Sequence, residues 1–339
     1  MAANSNLKIE KPSISRRTAW ILTAALFFIG CRPRASGDEA AGTLFTSAKA
    51  SLEAGYTLFQ SSHPDMIGLS GLAIDPAGTL WTVPEAKRLL ISIVREGVSF
   101  RLSRQPFPIV GVDEGLDLES IAALGDSQFV VGSEAAGRRS SDKIFWLKLE
   151  NGYARVTKAV TLEYRLWKIQ GEDNKGVEGL CFADNQLVVA AEPVFRSKGR
   201  RYAPIARYEI ASAKWYAAQL PLTTEAGKIS GLYCRAARDG ELSVRAIERH
   251  YGIARVLSFV LPIDVDQSAG RAAMTLSPRV DLDLARIIRP LHNFEGIAER
   301  EKELFLISDN HQSVTIGPTH LLRYSPYRRT RSPDVGKPY

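Results

Sequence analysis

The sequence predicts an all-β fold arranged as a β-propeller of five visible blades, with room for a sixth. Three observations carry that reading. One pattern recurs five times, each copy reads as two short apolar strands around a turn, and no long stretch shows helical periodicity. The 339 residues are 45% hydrophobic and 24% charged. That balance belongs to a folded globular chain and excludes disordered, collagen-like and coiled-coil descriptions. Three cysteines are too few to staple a chain of this length, so a hydrophobic core must hold it.

In chain order, the first element is an address. Residues 19–30 form a twelve-residue apolar run between Arg17 and Arg32, shorter than the roughly 20 residues a membrane span needs. Residues 1–30 therefore read as a signal peptide. Phe28-Ile29-Gly30-Cys31 resembles a bacterial lipobox, and Arg16-Arg17 resembles a twin-arginine export signal. Cys31 is thus the expected lipidation site, anchoring a lipoprotein on the periplasmic side of the cell envelope. Residues 31–51 read as a flexible tether, 52–326 as the propeller, and 327–339 as a basic C-terminal tail. The formal charge is +7, and three of those charges sit in residues 1–30, where Lys8, Lys11, Arg16 and Arg17 outweigh Glu10. The remainder is too mildly basic to predict nucleic-acid binding.

The repeat is an acid or serine, a small residue, Leu or Ile, a turn, and an apolar strand ending in an acid. Its copies run Ser70 to Glu85, Glu119 to Glu134, Glu178 to Glu192, Ser230 to Glu248 and Glu295 to Asp309. Internal spacings are 15, 15, 14, 18 and 14, and starts are separated by 49, 59, 52 and 65 residues. Pro-Ala-Gly, Gly-Asp and Asp-Asn occupy the turns, which is hairpin chemistry. A third strand follows in several copies (KIFWLKL, IARYEI, IARVLSFVL, HLLRYS). Sheets of about four strands at periods near 50 residues describe propeller blades. The last copy lacks an outer strand, and residues 52–60 are expected to supply it, closing the ring. The 65-residue interval leaves room for another blade.

The start of one strand and the end of its antiparallel partner share an edge, so the leading Ser or Glu and the trailing Glu or Asp of each copy should face one mouth. Glu119, Glu178, Glu192, Glu295 and Asp309 are the candidate metal ligands, with Glu85, Glu134 and Glu248 nearby. Crowded carboxylates need a cation or paired arginines, and hard oxygen ligands in such numbers suit Ca²⁺. Arg249 offers the salt-bridged alternative. His250 and His311 each lie just beyond a trailing acid and, with Glu295, are the candidate catalytic residues; His292 is a weaker one. Arg196, Lys198, Arg200, Arg201 and Arg207 gather around the loop after Glu192, and Arg200, Arg201 and Arg249 are candidates for holding an anionic substrate. Cys181 and Cys234 fall three and four places after their motif starts. Alternation points them to opposite faces, which predicts two buried thiols and no disulfide.

Phe294-Glu295-Gly296-Ile297-Ala298, Leu306-Ile307-Ser308-Asp309-Asn310, Val177-Glu178-Gly179-Leu180, Ala191-Glu192-Pro193 and Ile247-Glu248-Arg249 resemble the phytase-like family. That family of exported β-propellers is described by an esterase-like activity of phytase. The resemblance covers most of residues 66–325 and implies a hydrolase of phosphate or other esters using a divalent cation. His311-Gln312 departs from the family pattern of Asn or Asp followed by an aromatic residue.

No G-x-S-x-G elbow, H-E-x-x-H motif or P-loop occurs, and the His and Cys spacings do not build a zinc site. The leading expectation is a cation-dependent hydrolase acting on a small ester or phosphate. The alternatives are a non-catalytic envelope-anchored propeller that binds a partner, and a quinoprotein- or lactonase-type propeller enzyme.

Overall fold

A computed structural model describes residues 43–51, 53–103, 105–135, 137–171, 175–238, 240–263, 273–310 and 317–325. By its internal contacts the chain divides into residues 1–40 and 41–339, and every described residue belongs to the second unit. The predicted signal peptide, Cys31, His311 and the tail 327–339 lie outside the described residues.

Two strands precede the first repeat, β1 (Thr43–Ser51) and β2 (Tyr56–Ser61). The first repeat holds β3 (Leu69–Ile74), β4 (Leu80–Pro84), β5 (Leu89–Glu96), β6 (Ser99–Leu102) and β7 (Phe107–Val110). The second holds β8 (Leu116–Gly125), β9 (Gln128–Ala135), β10 (Ser141–Glu150) and β11 (Tyr153–Glu163). The third holds β12 (Val177–Ala183), β13 (Gln186–Ala191), β14 (Phe195–Ser197), β15 (Arg200–Glu209) and β16 (Lys214–Pro221). The fourth holds β17 (Lys228–Ala236), β18 (Glu241–His250), β19 (Ile253–Pro262), β20 (Met274–Thr275) and β21 (Arg279–Asp283). The fifth holds β22 (Asn293–Arg300), β23 (Glu303–Asp309) and β24 (Thr319–Tyr324). Among the described residues the helical content is three single 3-10 turns.

The leading strands β3, β8, β12, β17 and β22 contact one another in order, and β22 returns to β3. That cyclic order is a β-propeller. Its core lies between neighbouring sheets, so sheets are apolar on both faces. Phe129 and Val131 of the second repeat pack on Trp81 and Val83 of the first, while Val130 packs toward Leu180 and Val189 of the third. Phe294 and Ile297 pack on Ile247 and Val256, and Phe305 and Ile307 meet Leu72 and Leu80, which closes the ring.

Closure follows the expectation: β2 pairs antiparallel with β24, adding a strand from before the first repeat to the last sheet. β1 goes further. It pairs with β2 and also with β6 of the first sheet, so residues 43–51 are a strand where a tether was expected. Apolar Phe45, fully buried among Phe59, Phe100 and Phe305, holds it there. The long fourth interval extends sheet edges: β20 pairs with β16 and β21 with β19, and no further inner hairpin appears among the described residues.

One expectation is overturned. Cys181 of β12 and Cys234 of β17 form a disulfide, with Cα atoms 5.5 Å apart. Alternation does send them to opposite faces of their own sheets. In a ring of radially stacked sheets, however, opposite faces of neighbours are the ones that touch, so both cysteines enter the same core.

The motif's small residue has a steric cause. A β-carbon on Gly296 would lie 2.5 Å from the Gly71 carbonyl carbon and 2.6 Å from the Leu72 nitrogen. Inner strands meet too closely there for a side chain. Where the second copy has serine, the Ser120 hydroxyl donates to the Val177 carbonyl at 2.7 Å and so ties adjacent inner strands.

Candidate functional site

In the inner hairpins, β-bulges re-aim the motif's leading residue. Register slips between Leu118 and Ser120, Val177 and Gly179, Ile229 and Gly231, and Phe294 and Gly296. Glu119, Glu178, Ser230 and Glu295 are therefore extra residues, freed from the ladder as bulges commonly do beside functional sites.

The acids gather in two sets, Glu85 with Glu119 and Glu295, and Glu134 with Glu178 and Glu192. Within each, one carboxylate oxygen per residue lies within 4.8 Å of the others. In the first set the Ser70 hydroxyl sits 3.0 Å from Glu85 Oε1, 2.9 Å from Glu119 Oε2 and 3.2 Å from Glu295 Oε2. A hydroxyl has one proton to donate, so three oxygens converging on it call for another proton or a cation. Arg249 pairs with Glu295. Asn293 Nδ2 donates to Glu295 Oε1 at 3.0 Å and to Asp309 Oδ2 at 3.1 Å, which places Asp309 beside this set. In the second set Lys228 pairs with Glu192, while Glu134, only 5% exposed, has an Oε2 that accepts no hydrogen bond.

Burial is the main reason these carboxyls hold their protons. It pushes Glu85 up to about 8, with Asp309 and Glu295 adding repulsion. Glu134 rises to about 7 through burial and then Glu192. Burial, followed by repulsion from Glu85, lifts Glu119 well above the carboxylate range. For Glu178 the second cause is Glu192. Glu295 is raised by burial, although Arg249 opposes the rise.

Beside the mouth opens a cleft of about 520 Å³. Lys175, Arg196, Arg201, Lys228 and Arg249 line it together with Val194, Tyr251, Ile253 and Leu291. Arg249 is 8% exposed, and its Nε has no acceptor.

The structure brings together Glu119, Glu178, Glu192 and Glu295 with Glu85, Glu134 and Asp309, and six of these acids group into two sets. Glu248 does not join them. Its carboxylate accepts from the backbone N–H groups of Thr223 (3.0 Å) and Thr224 (2.9 Å) and from both hydroxyls. His250 and His292 line the cleft, outside both acid sets. His292 is pushed down to about 4 by burial and then by His320, on which it stacks at 3.6 Å. Arg201 faces the cleft; Arg200 is exposed at the start of β15 and does not line it. Arg207 leaves the basic group altogether: it is buried, donating to Gln186 Oε1 at 2.8 Å and lying over the Tyr216 ring.

Ser70 was expected at the mouth as the leading residue of its copy, whereas Lys228 and Asn293 were not expected as members of the site. Lys228 and Asn293 each stand two places before a motif's first residue, and that shared offset was the available signal. Tyr251 carries no such signal.

Fold and site together define a β-propeller whose mouth holds two carboxylate sets beside a basic cleft. The chain belongs to the Phytase-like family: the family model "Esterase-like activity of phytase" matches residues 64–312. No curated protein matches. Among solved structures it is similar to the PQQ-bound aldose sugar dehydrogenase from Streptomyces coelicolor, at 14% identity and TM-score 0.39, covering 79% of this chain and 98% of that one. Virginiamycin B lyase from Staphylococcus aureus is similar at 10% identity and TM-score 0.35, covering 79% and 99%. YCF48 from Cyanidioschyzon merolae is similar at 10% and 0.33, covering 80% and 99%.

Proposed function

We propose that this protein is an exported, divalent-cation-dependent hydrolase of phosphate or carboxylate esters, with Ca²⁺ the preferred cation. The observation that carries the reading is the pair of carboxylate sets. Each converges three hard oxygen donors within 4.8 Å, and the buried Glu134 Oε2 has no hydrogen-bond donor, so the donor set fits a hard cation.

Glu119, Glu295 and Glu85 would hold one ion and Glu134, Glu178 and Glu192 another. When bound, such an ion polarises an ester or phosphoryl oxygen as a Lewis acid. The chain's own residues do the rest. Arg201 and Arg249, on the cleft wall, bind and orient the anionic part of the substrate. Lys228 and Arg249 pair directly with Glu192 and Glu295 and offset part of the negative charge gathered at the mouth. His250, exposed in the same cleft, can move a proton to or from the reacting group. A disulfide between Cys181 and Cys234 suits an oxidising compartment, which supports export through residues 1–30 and anchoring through Cys31.

The test is calorimetric titration of Ca²⁺ into the wild type and into the Glu178→Gln/Glu295→Gln double variant, followed by ester hydrolysis with Ca²⁺ and with EDTA. Binding and activity that the double variant loses support the reading. Unchanged titration overturns it and favours a non-catalytic, partner-binding propeller.

A further inference from the structure

We propose that the cleft beside the mouth binds an organic oxyanion that carries one apolar group of about the size of an aryl ring. The proposal names a substrate class for the hydrolase reading and rests on it for catalysis, but binding to the cleft is separable from turnover.

One part of the lining selects an anion. Lys175, Arg196, Arg201, Lys228 and Arg249 line the cleft, and Glu192 is the one carboxylate in the same lining. Glu192 is paired with Lys228, and Arg249 with Glu295. Arg201 supplies the specific signal. It makes no ion pair among the described residues, and its Nη1 donates to the Thr224 carbonyl at 3.2 Å. An oxyanion in the cleft gives this guanidinium a charged partner through a charge-assisted hydrogen bond.

The other part selects against a purely polar anion. Val194, Ile253 and Leu291 give the same cleft apolar lining, and Tyr251, in the β18–β19 turn and 73% exposed, lines it with them. Its ring meets the His250 ring edge-on, with centroids 5.1 Å apart. A mostly exposed aromatic ring on the rim of a cleft is a platform for another ring. An inorganic or fully hydroxylated polyanion leaves this wall in water. A neutral apolar compound leaves Arg201 without a charged partner. An oxyanion with one apolar arm satisfies both, and a cleft of about 520 Å³ accommodates it.

The test is isothermal calorimetry in EDTA with phenylphosphonate, inorganic phosphate and benzyl alcohol as probes. Phenylphosphonate is expected to bind about tenfold more tightly than inorganic phosphate, the factor that about 1.4 kcal/mol of apolar burial yields. Benzyl alcohol is expected not to bind. Tyr251→Ser, at an exposed turn where folding is not at stake, should erase the preference and leave phosphate affinity unchanged. Arg201→Ala should weaken both anions together. Equal affinity for the two anions, no binding of either, or a preference that survives Tyr251→Ser overturns the proposal. Phenylphosphonate binding without cation-dependent ester hydrolysis refutes the catalytic reading and leaves this one standing. Hydrolysis in a protein that ignores phenylphosphonate does the reverse.

Discussion

Replacing Glu134 by glutamine should make the cation-free protein more stable while removing its response to calcium. The Glu134 carboxyl is pushed from an ordinary 4.5 to about 7 by burial and by Glu192. Keeping it ionised at pH 8 therefore costs the folded state about 3 kcal/mol, at about 1.4 kcal/mol per tenfold change in proton affinity. Glutamine keeps the shape, removes the charge, and can donate its amide hydrogens to the neighbouring carboxylates. A domain of this size moves by about 2 °C per kcal/mol, so in EDTA at pH 8 the variant should melt about 6 °C above the wild type. Calcium at 100 times its Kd adds about 2.7 kcal/mol, so it should raise the wild type by about 5 °C and the variant by much less. Differential scanning calorimetry of both proteins, with and without the ion, reads all four temperatures. A variant that melts at or below the wild type in EDTA, or that keeps the full calcium shift, refutes the reasoning.

Three further outcomes are expected. In EDTA the wild-type melting temperature should fall as pH rises from about 4.5 to about 8. Glu134 and Glu85, raised to about 7 and about 8, bind protons more tightly folded than unfolded, so their contribution is complete below 4.5 and lost above 8. A pH slope that Glu134→Gln leaves untouched would count against this. Gly296→Ala should cost about 2 kcal/mol or more, because its β-carbon meets Gly71 and Leu72 backbone at 2.5 and 2.6 Å; urea unfolding with an unchanged midpoint would falsify the close-approach account. Opening the Cys181–Cys234 bond, which closes a separation of 53 residues, should lower stability by about 4 kcal/mol on a chain-entropy estimate. Melting with and without a reductant, against a Cys181→Ser/Cys234→Ser control, measures it.

Much of the architecture was legible because strand pairs in this chain are local. Turns such as Asp184-Asn185 join strands adjacent in sequence, so repeat and hairpin chemistry show through, and the absence of an outer strand after the fifth repeat pointed to β2. The convergence of the acids was also legible, since antiparallel geometry places Glu119 and Glu134, or Glu178 and Glu192, at one edge. What stayed hidden depends on contacts between repeats. Bulging lifts Glu119, Glu178 and Glu295 out of the ladder, and acids of neighbouring repeats then meet in two sets. Whether Cys181 meets Cys234 is decided by which faces of neighbouring sheets touch. Thr223 and Thr224 withdraw Glu248 through four hydrogen bonds that no spacing announces. Strand β1 was missed because its Ala- and Ser-rich sequence has the composition of a linker, and Phe45 is the one fully buried side chain among those described in it.

The hydrogen-bonded sheets are unevenly shared around the ring. One continuous sheet joins the fifth, first and second repeats through β2, β1, β6 and β7, while the third and fourth repeats each form a separate sheet. Among the described residues, no backbone ladder crosses from second to third or from fourth to fifth, and from third to fourth the short strand β20 reaches across to pair with β16. The disulfide rivets the middle one of these joints. Site residues also span the two joints left without a rivet: Glu134 faces Glu178 across the first, and Arg249 grips Glu295 across the last. Mechanically, the ring is a stiff arc with two compliant joints, and charge placed at the mouth acts on both. A cation drawn between Glu134 and Glu178 would serve as a clamp, so occupancy of the site and rigidity of the whole ring should rise and fall together.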